Sequence, residues 1–309
     1  MPNFARTDLA MESFDPSRED MFPGVQVSHW DVEDIRLTEV VITDEATARQ
    51  LGKPVGSYLT LECPRLRARD PEARTALGTL LAEEIARILP TENKNGPVLV
   101  VGLGNRNITP DSLGPLAVDK TLVTRHMMES DYSPAGMCNV CAIAPGVLGV
   151  TGIETVEMVD SIVRRLDPRA VICIDSLAAR DSCRIGATIQ LTDTGIQPGA
   201  GVGNHRKAIT RETLGVPVIS VGMPTVIYAA TLARDAFDYL AKQSGDDADH
   251  DAALEDMEKS LLNAEIGEMI VTPREIDALI QDAAGIIATG VNRALQPMLS
   301  DTEIAAMMD

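Results

Sequence analysis

Apolar positions along the chain fall into two patterns. At 98–103 (VLVVGL), 170–174 (AVICI) and 216–221 (VPVISV) they run without interruption, and a shorter run stands at 188–191 (TIQL). Strands apolar on both faces belong to sheets covered by helices on both sides, so these runs predict a doubly wound α/β core with a largely parallel sheet. Elsewhere the period is helical. Ala73, Leu77, Leu80, Leu81, Ile85 and Ile88 follow Asp70-Pro71-Glu72, a capping Asp with Pro at the first helical position, and this helix is expected to end near Pro90. Ile276, Leu279, Ile280, Ala283, Ile286 and Ile287 follow Thr272-Pro273-Arg274-Glu275, which reads as a capping box.

Ahead of the core, 35–42 and 57–61 read as short strands separated by a helix over 44–52 that Gly52 closes. The first thirty residues, with Pro2, Asp15-Pro16 and Pro23-Gly24, read as a polar arm open to proteolysis. The stretch 244–251 (SGDDADHD) reads as a solvated acidic loop.

Charge narrows the partners. With 27 basic and 46 acidic residues the net charge is −19, a field that repels nucleic acids and anionic membranes, so no direct nucleic-acid binding and no membrane attachment are expected. The N-terminal residues lack the apolar core of a signal peptide, and five cysteines without an export signal predict reduced thiols in a cytoplasmic protein.

In open α/β sheets ligands bind beyond the carboxyl ends of the strands. That rule selects Asp111, which follows the first long run in GNRNITPDSLGP, and Asp175, which directly follows AVICI. Two carboxylates in one cleft resist joint ionisation, so one holds a proton while the other serves as base toward water. An Asp ahead of a helix is equally a good N-cap, and the residues alone leave both uses open. Cys138-Asn139-Val140-Cys141 has redox or half-zinc spacing but lacks a second pair. The glycine-rich stretch 195–207, with Gly199, Gly201, Gly203, His205 and Arg206-Lys207, could line a substrate groove or cradle an anion in a non-catalytic module. Among the four histidines there is no HExxH pair, and no GxSxG motif marks a serine nucleophile.

Longer motifs carry a family resemblance. VGLGNRNITPDSLGP (101–115), APGVLGVTGIET (144–155), IDSLAAR (174–180), TDTGIQPGAGVGNHRK (192–207), ETLGVPVISVGMPTV (212–226) and MIVTPREID (269–277) closely resemble the germination protease family of spore-forming bacteria. The resemblance implies a three-layer α/β/α sandwich with a mostly parallel twisted sheet, like that of the hydrogenase-maturation proteases. It implies an endopeptidase of the spore core that degrades small acid-soluble spore proteins at germination and assembles as a homotetramer. It implies Asp111 and Asp175 as the catalytic pair; beside that implication, Asn105 and Gly199, Gly201, Gly203 and His205 of the 195–207 loop are read as substrate-lining candidates. It implies a zymogen that removes its own N-terminal segment. Here Arg6-Thr7-Asp8-Leu9-Ala10-Met11-Glu12 resembles the processing site, which places the cut between Asp8 and Leu9 and divides the chain into a pro-segment (1–8) and one peptidase domain (9–309) with a β-containing lead-in at about 25–65. The region 244–268 is short and acidic where the family has a longer insertion. No cofactor is expected. The alternative is a metal-dependent hydrolase in which Asp111 and Asp175 bridge a divalent ion.

Overall fold

The computed structural model describes residues 7–13, 22–92, 96–128, 136–199, 206–244 and 269–308. The acidic stretch 245–251, and Gly201, Gly203 and His205, lie outside the described residues.

The strands are β1 (Val25–Val32), β2 (Ile35–Ile42), β3 (Gly56–Glu62), β4 (Val98–Gly102), β5 (Val140–Ile143), β6 (Ala170–Ala179), β7 (Thr188–Thr192), β8 (Val218–Tyr228) and β9 (Ile270–Val271). They form one sheet in the order β1-β2-β3-β7-β8-β6-β4-β5, with β9 added to the end of β8. From β8 to β5 the pairings are parallel. From β1 to β8 they are antiparallel. Connection length fits the pairing at two places. The turn between β1 and β2 spans only 33–34 and can join only antiparallel neighbours, whereas β4 and β6 are separated by enough chain for a helical crossover.

The continuous apolar runs are explained by cover on both faces. Val98, Val100, Ile172 and Ile174 pack with the helices Pro71–Ile88, Leu113–Asp119 and Ile276–Leu295. The alternate residues Leu99, Val101, Val171 and Cys173 pack with Val156, Val159 and Val163 of the helix Thr155–Leu166 on the other face. The result is the expected three-layer α/β/α sandwich.

Local signals hold where capping is local. Asp44 accepts hydrogen bonds from the N–H groups of Ala46 and Thr47 and opens the helix Glu45–Leu51, which Gly52 closes in the left-handed conformation. Asp70 likewise caps Pro71–Ile88.

Four expectations are corrected. The N-terminal thirty residues include β1, an edge strand whose exposed side chains hide its alternation. The strand begun at 170–174 continues to Ala179, and the Gly222-Met223-Pro224 stretch, expected as a turn, lies inside the fully buried strand β8. The two elongate together because they pair from Val171↔Val218 to Ala179↔Ile227, with a one-residue register shift after Leu177↔Pro224. Finally, Thr272 does not cap the helix Ile276–Leu295; its hydroxyl donates to the Thr225 carbonyl at 2.8 Å.

Candidate active site

After β4 the chain turns sharply through Gly104 (φ +105), where a Cβ would stand 2.0 Å from the Asp111 carbonyl oxygen. The following residues close into the 3-10 turn Thr109–Asp111. The loop is fixed to the sheet at two points: the Leu103 N–H donates to the Ile174 carbonyl at 2.8 Å, and the Thr225 hydroxyl donates to the Pro110 carbonyl at 2.8 Å. Gly114 allows the next helix to press close, since a Cβ there would lie 2.4 Å from the Ile174 carbonyl oxygen.

These contacts settle the surroundings of the two acids. Asp111 is half-buried, and its Oδ2 accepts a hydrogen bond from the Asn105 N–H at 2.8 Å. Burial outweighs that bond and pushes its carboxyl up to about 6. Asp175 is 5% exposed and lies within β6 rather than at its end, opposite Gly222. Its Oδ1 accepts from the N–H of Ser176 at 2.8 Å. Burial first, then the negative charges of Asp111 and Asp8, raise its carboxyl well above the usual range. Neither acid caps a helix: Leu113–Asp119 has no side-chain cap, and Asp175 is in a strand. The structure thus brings together two carboxyls that disfavour joint ionisation, the electrostatic condition for sharing a proton.

Asp8 and Leu9 join them, although they lie far away in the sequence. Asp8 pairs with Ala178 through two bonds, its N–H donating to the Ala178 carbonyl at 2.9 Å and its Oδ2 accepting from the Ala178 N–H at 2.8 Å. Leu9 is fully buried against Leu177, Ala179, Ile185 and Ile227. Beyond it, Glu12 accepts from the N–H groups of Arg180 and Asp181 and from the Arg184 guanidinium, at 2.7, 2.9 and 2.8 Å. Residues 7–13 therefore lie across the end of β6, held at both ends. A cavity of about 130 Å³ adjoins Asp8, lined also by Lys53, Gln190, Thr192 and Gly222.

The other candidates divide. Asn105 contributes its backbone N–H to Asp111, while its side-chain oxygen accepts from the Asn107 N–H. Gly199 is a left-handed glycine (φ +72) near the end of the described part of its loop. All five cysteines are free thiols, and Cys141 is held by the Val98 carbonyl. Among the described residues no set of three or more His, Cys, Asp or Glu side chains assembles to hold a metal. Among the described residues, the donors offered to a bridging ion are these two carboxylates, short of the three protein ligands usual in a catalytic zinc site. Lys53 and Gln190, which also border this site, belong to no motif or periodic pattern in the sequence. A polar residue inside the buried run TIQLT was the available signal for Gln190.

Comparison with known proteins decides the family. The germination protease family model matches residues 6–267. The chain belongs to the germination protease family. It is 43% identical to the germination protease of Caldanaerobacter subterraneus subsp. tengcongensis, over 98% of both chains. It is 41% identical to that of Clostridium acetobutylicum over 98% of both, and 37% identical to that of Bacillus cereus over 97% of this chain and 96% of the relative. Family membership makes it a peptidase with a role in germination. Among its described residues, no helix is long and apolar enough to cross a membrane.

Proposed function

We propose that this chain is a self-processing endopeptidase that cuts its own Asp8–Leu9 bond and then hydrolyses small acid-soluble spore proteins, with Asp111 and Asp175 as its catalytic acids. The observation that carries the reading is the docking of residues 7–13 on β6, with Asp8 close enough for its charge to act on Asp175.

The pair has a natural division of labour. Asp175 is the more buried and is charged against by both neighbours, so it holds the proton; Asp111, at about 6, ionises near neutrality and serves as base. Water adds through its oxygen to the Asp8 carbonyl carbon while Asp111 takes a proton. The carbonyl electron pair moves onto oxygen. When the tetrahedral species collapses, the C–N bond breaks and Asp175 delivers its proton to the Leu9 nitrogen. An acid at Asp8 and an amine at Leu9 result, and the proton on Asp111 returns to the pair through solvent.

The segment cut in this way is an internal mimic of the substrate, an acidic residue before the bond and an apolar one after it. Asp8 and the residues before it act as the pro-segment, and the mature enzyme works in the spore core as a homotetramer. Incubating the purified full chain and sequencing the new N-terminus tests the reading. Leu9 is the expected first residue; a chain that stays intact, or starts elsewhere, contradicts it. Light scattering of the product gives the assembly state, with four chains expected.

A further inference from the structure

In the proposed cut Asp111 acts as base and the Asp175 proton goes to the Leu9 nitrogen, which leaves the oxygen that becomes negative when water adds to be served by other donors. Hydrolysis of an amide develops that charge on the carbonyl oxygen, and a dry site needs hydrogen-bond donors already aimed there. The Asp8 carbonyl oxygen has two. The Lys53 Nζ donates to it at 2.9 Å and the Gln190 Nε2 at 3.0 Å, which fills both lone-pair positions of one oxygen.

Each donor is placed by the fold rather than by the segment it touches. Lys53 follows Gly52, whose left-handed turn (φ +65) ends the helix Glu45–Leu51 and redirects the chain toward β3. Its ammonium also reaches the Thr7 carbonyl at 3.2 Å. Burial draws that ammonium below its ordinary range, while Asp8 and Glu12 oppose the shift. Gln190 stands in the fully buried strand β7, where a side-chain amide is costly unless satisfied. Its oxygen accepts from the Ala10 N–H at 2.7 Å, so one amide spans the Asp8–Leu9 bond, donating on one side and accepting on the other. On the leaving side, the Leu9 N–H donates to the Thr7 hydroxyl at 3.1 Å.

We propose that Lys53 and Gln190 form the oxyanion site of this peptidase, a catalytic pair of donors that stabilises the tetrahedral intermediate at the Asp8 carbonyl. The ammonium supplies charge and the amide fixes direction. The proposal rests on the reading of Asp8–Leu9 as the scissile bond.

The test follows the rate at which the Leu9 N-terminus appears in full-length wild type, Lys53→Met, Lys53→Arg and Gln190→Glu. Hydrogen exchange at the amides of Asp8, Ala10 and Ala178 reports in parallel whether the segment remains seated. Gln190→Glu keeps the acceptor for Ala10 but removes the donor. Losing one oxyanion donor costs about 100-fold in rate or more. The expected result is therefore a loss of about that size in Lys53→Met and Gln190→Glu with exchange protection kept, and partial recovery in Lys53→Arg. Cleavage within threefold of wild type in both Lys53→Met and Gln190→Glu overturns the proposal. So does a loss that tracks lost protection, because the two side chains then only hold the segment. Should Lys53→Met fail to fold, Gln190→Glu decides alone. If the wild type gives no Leu9 end, the cut is wrong and the proposal goes with it; normal wild-type cutting with unaffected variants removes the oxyanion site alone.

Discussion

Asp8 and Ala178 form a reciprocal pair, with the Asp8 N–H on the Ala178 carbonyl and the Ala178 N–H on the Asp8 carboxylate. The second of these bonds involves a side chain, so the residue type at position 8 matters as well as the extended backbone. In Asp8→Ala the backbone bond survives while the charge-assisted one is lost, a change worth roughly 1–3 kcal/mol. Appearance of the Leu9 N-terminus is expected to slow by about tenfold or more, as measured by mass spectrometry of timed samples. Cutting at the wild-type rate would show that the carboxylate does not seat the segment.

Removing either acid separates activity from stability. Asp111→Asn and Asp175→Asn should each abolish self-cleavage while leaving the fold intact by circular dichroism. For Asp111 the folded carboxyl stands at about 6 against an ordinary 3.8, so between those values the folded chain binds more protons than the unfolded one, and stability falls as pH rises through this window. Asp111→Asn removes that loss. The variant is expected to be more stable than wild type by on the order of 1–3 kcal/mol at pH 7, with the difference shrinking toward pH 4. Denaturant titrations at the two pH values check it.

With Asp111 as the proposed base, the same shift should set the acid limb of activity. The base form of Asp111 predominates above about 6, so the self-cleavage rate should climb tenfold per pH unit below that value and level off above it. A rate that stays constant from pH 4.5 to 7 would exclude Asp111 as the base.

Gly104 offers a backbone test. Its φ is +105, and a Cβ added there would lie 2.0 Å from the Asp111 carbonyl oxygen, so Gly104→Ala must shift the turn that carries the acid. Displacements of about an ångström cost catalysis on the order of 100-fold. The expected outcome is a folded chain with strongly reduced cleavage.

Chelation separates the two forms of acid chemistry. With water activated by the carboxyl pair itself, dialysis against a chelator should leave the self-cleavage rate within twofold of the untreated chain. Loss of activity that zinc or another divalent ion restores would favour an ion bridging the two acids.

The parts of this structure legible in the sequence are those governed by neighbours in the chain. Asp44 with Gly52, and Asp70 with Pro71, announce helices because a cap is made within three residues. Continuous runs such as VLVVG announce burial on two faces but not the direction of the next strand, which depends on connections elsewhere. The length of β8 was hidden because Gly-Met-Pro is a turn by local rules and a strand only alongside β6. Asp175 illustrates the limit: the end of an apolar run drew attention to it, yet the strand continues for four residues beyond it. The approach of Asp8, Lys53 and Gln190 is a tertiary event without a periodic signature.

The register shift in β8 leaves Thr225 between Pro224, opposite Leu177, and Val226, opposite Ala178. That unpaired residue faces two ways: its hydroxyl holds the Pro110 carbonyl, and its own carbonyl receives the Thr272 hydroxyl. Pro110 immediately precedes Asp111, and Thr272 immediately follows β9. A single surplus residue in a ladder thus works as a keystone, wedged between the turn that bears one acid and the strand that leads to the long C-terminal helix. Where Asp111 sits is consequently tied to the assembled sheet, through a residue more than a hundred positions farther along the chain.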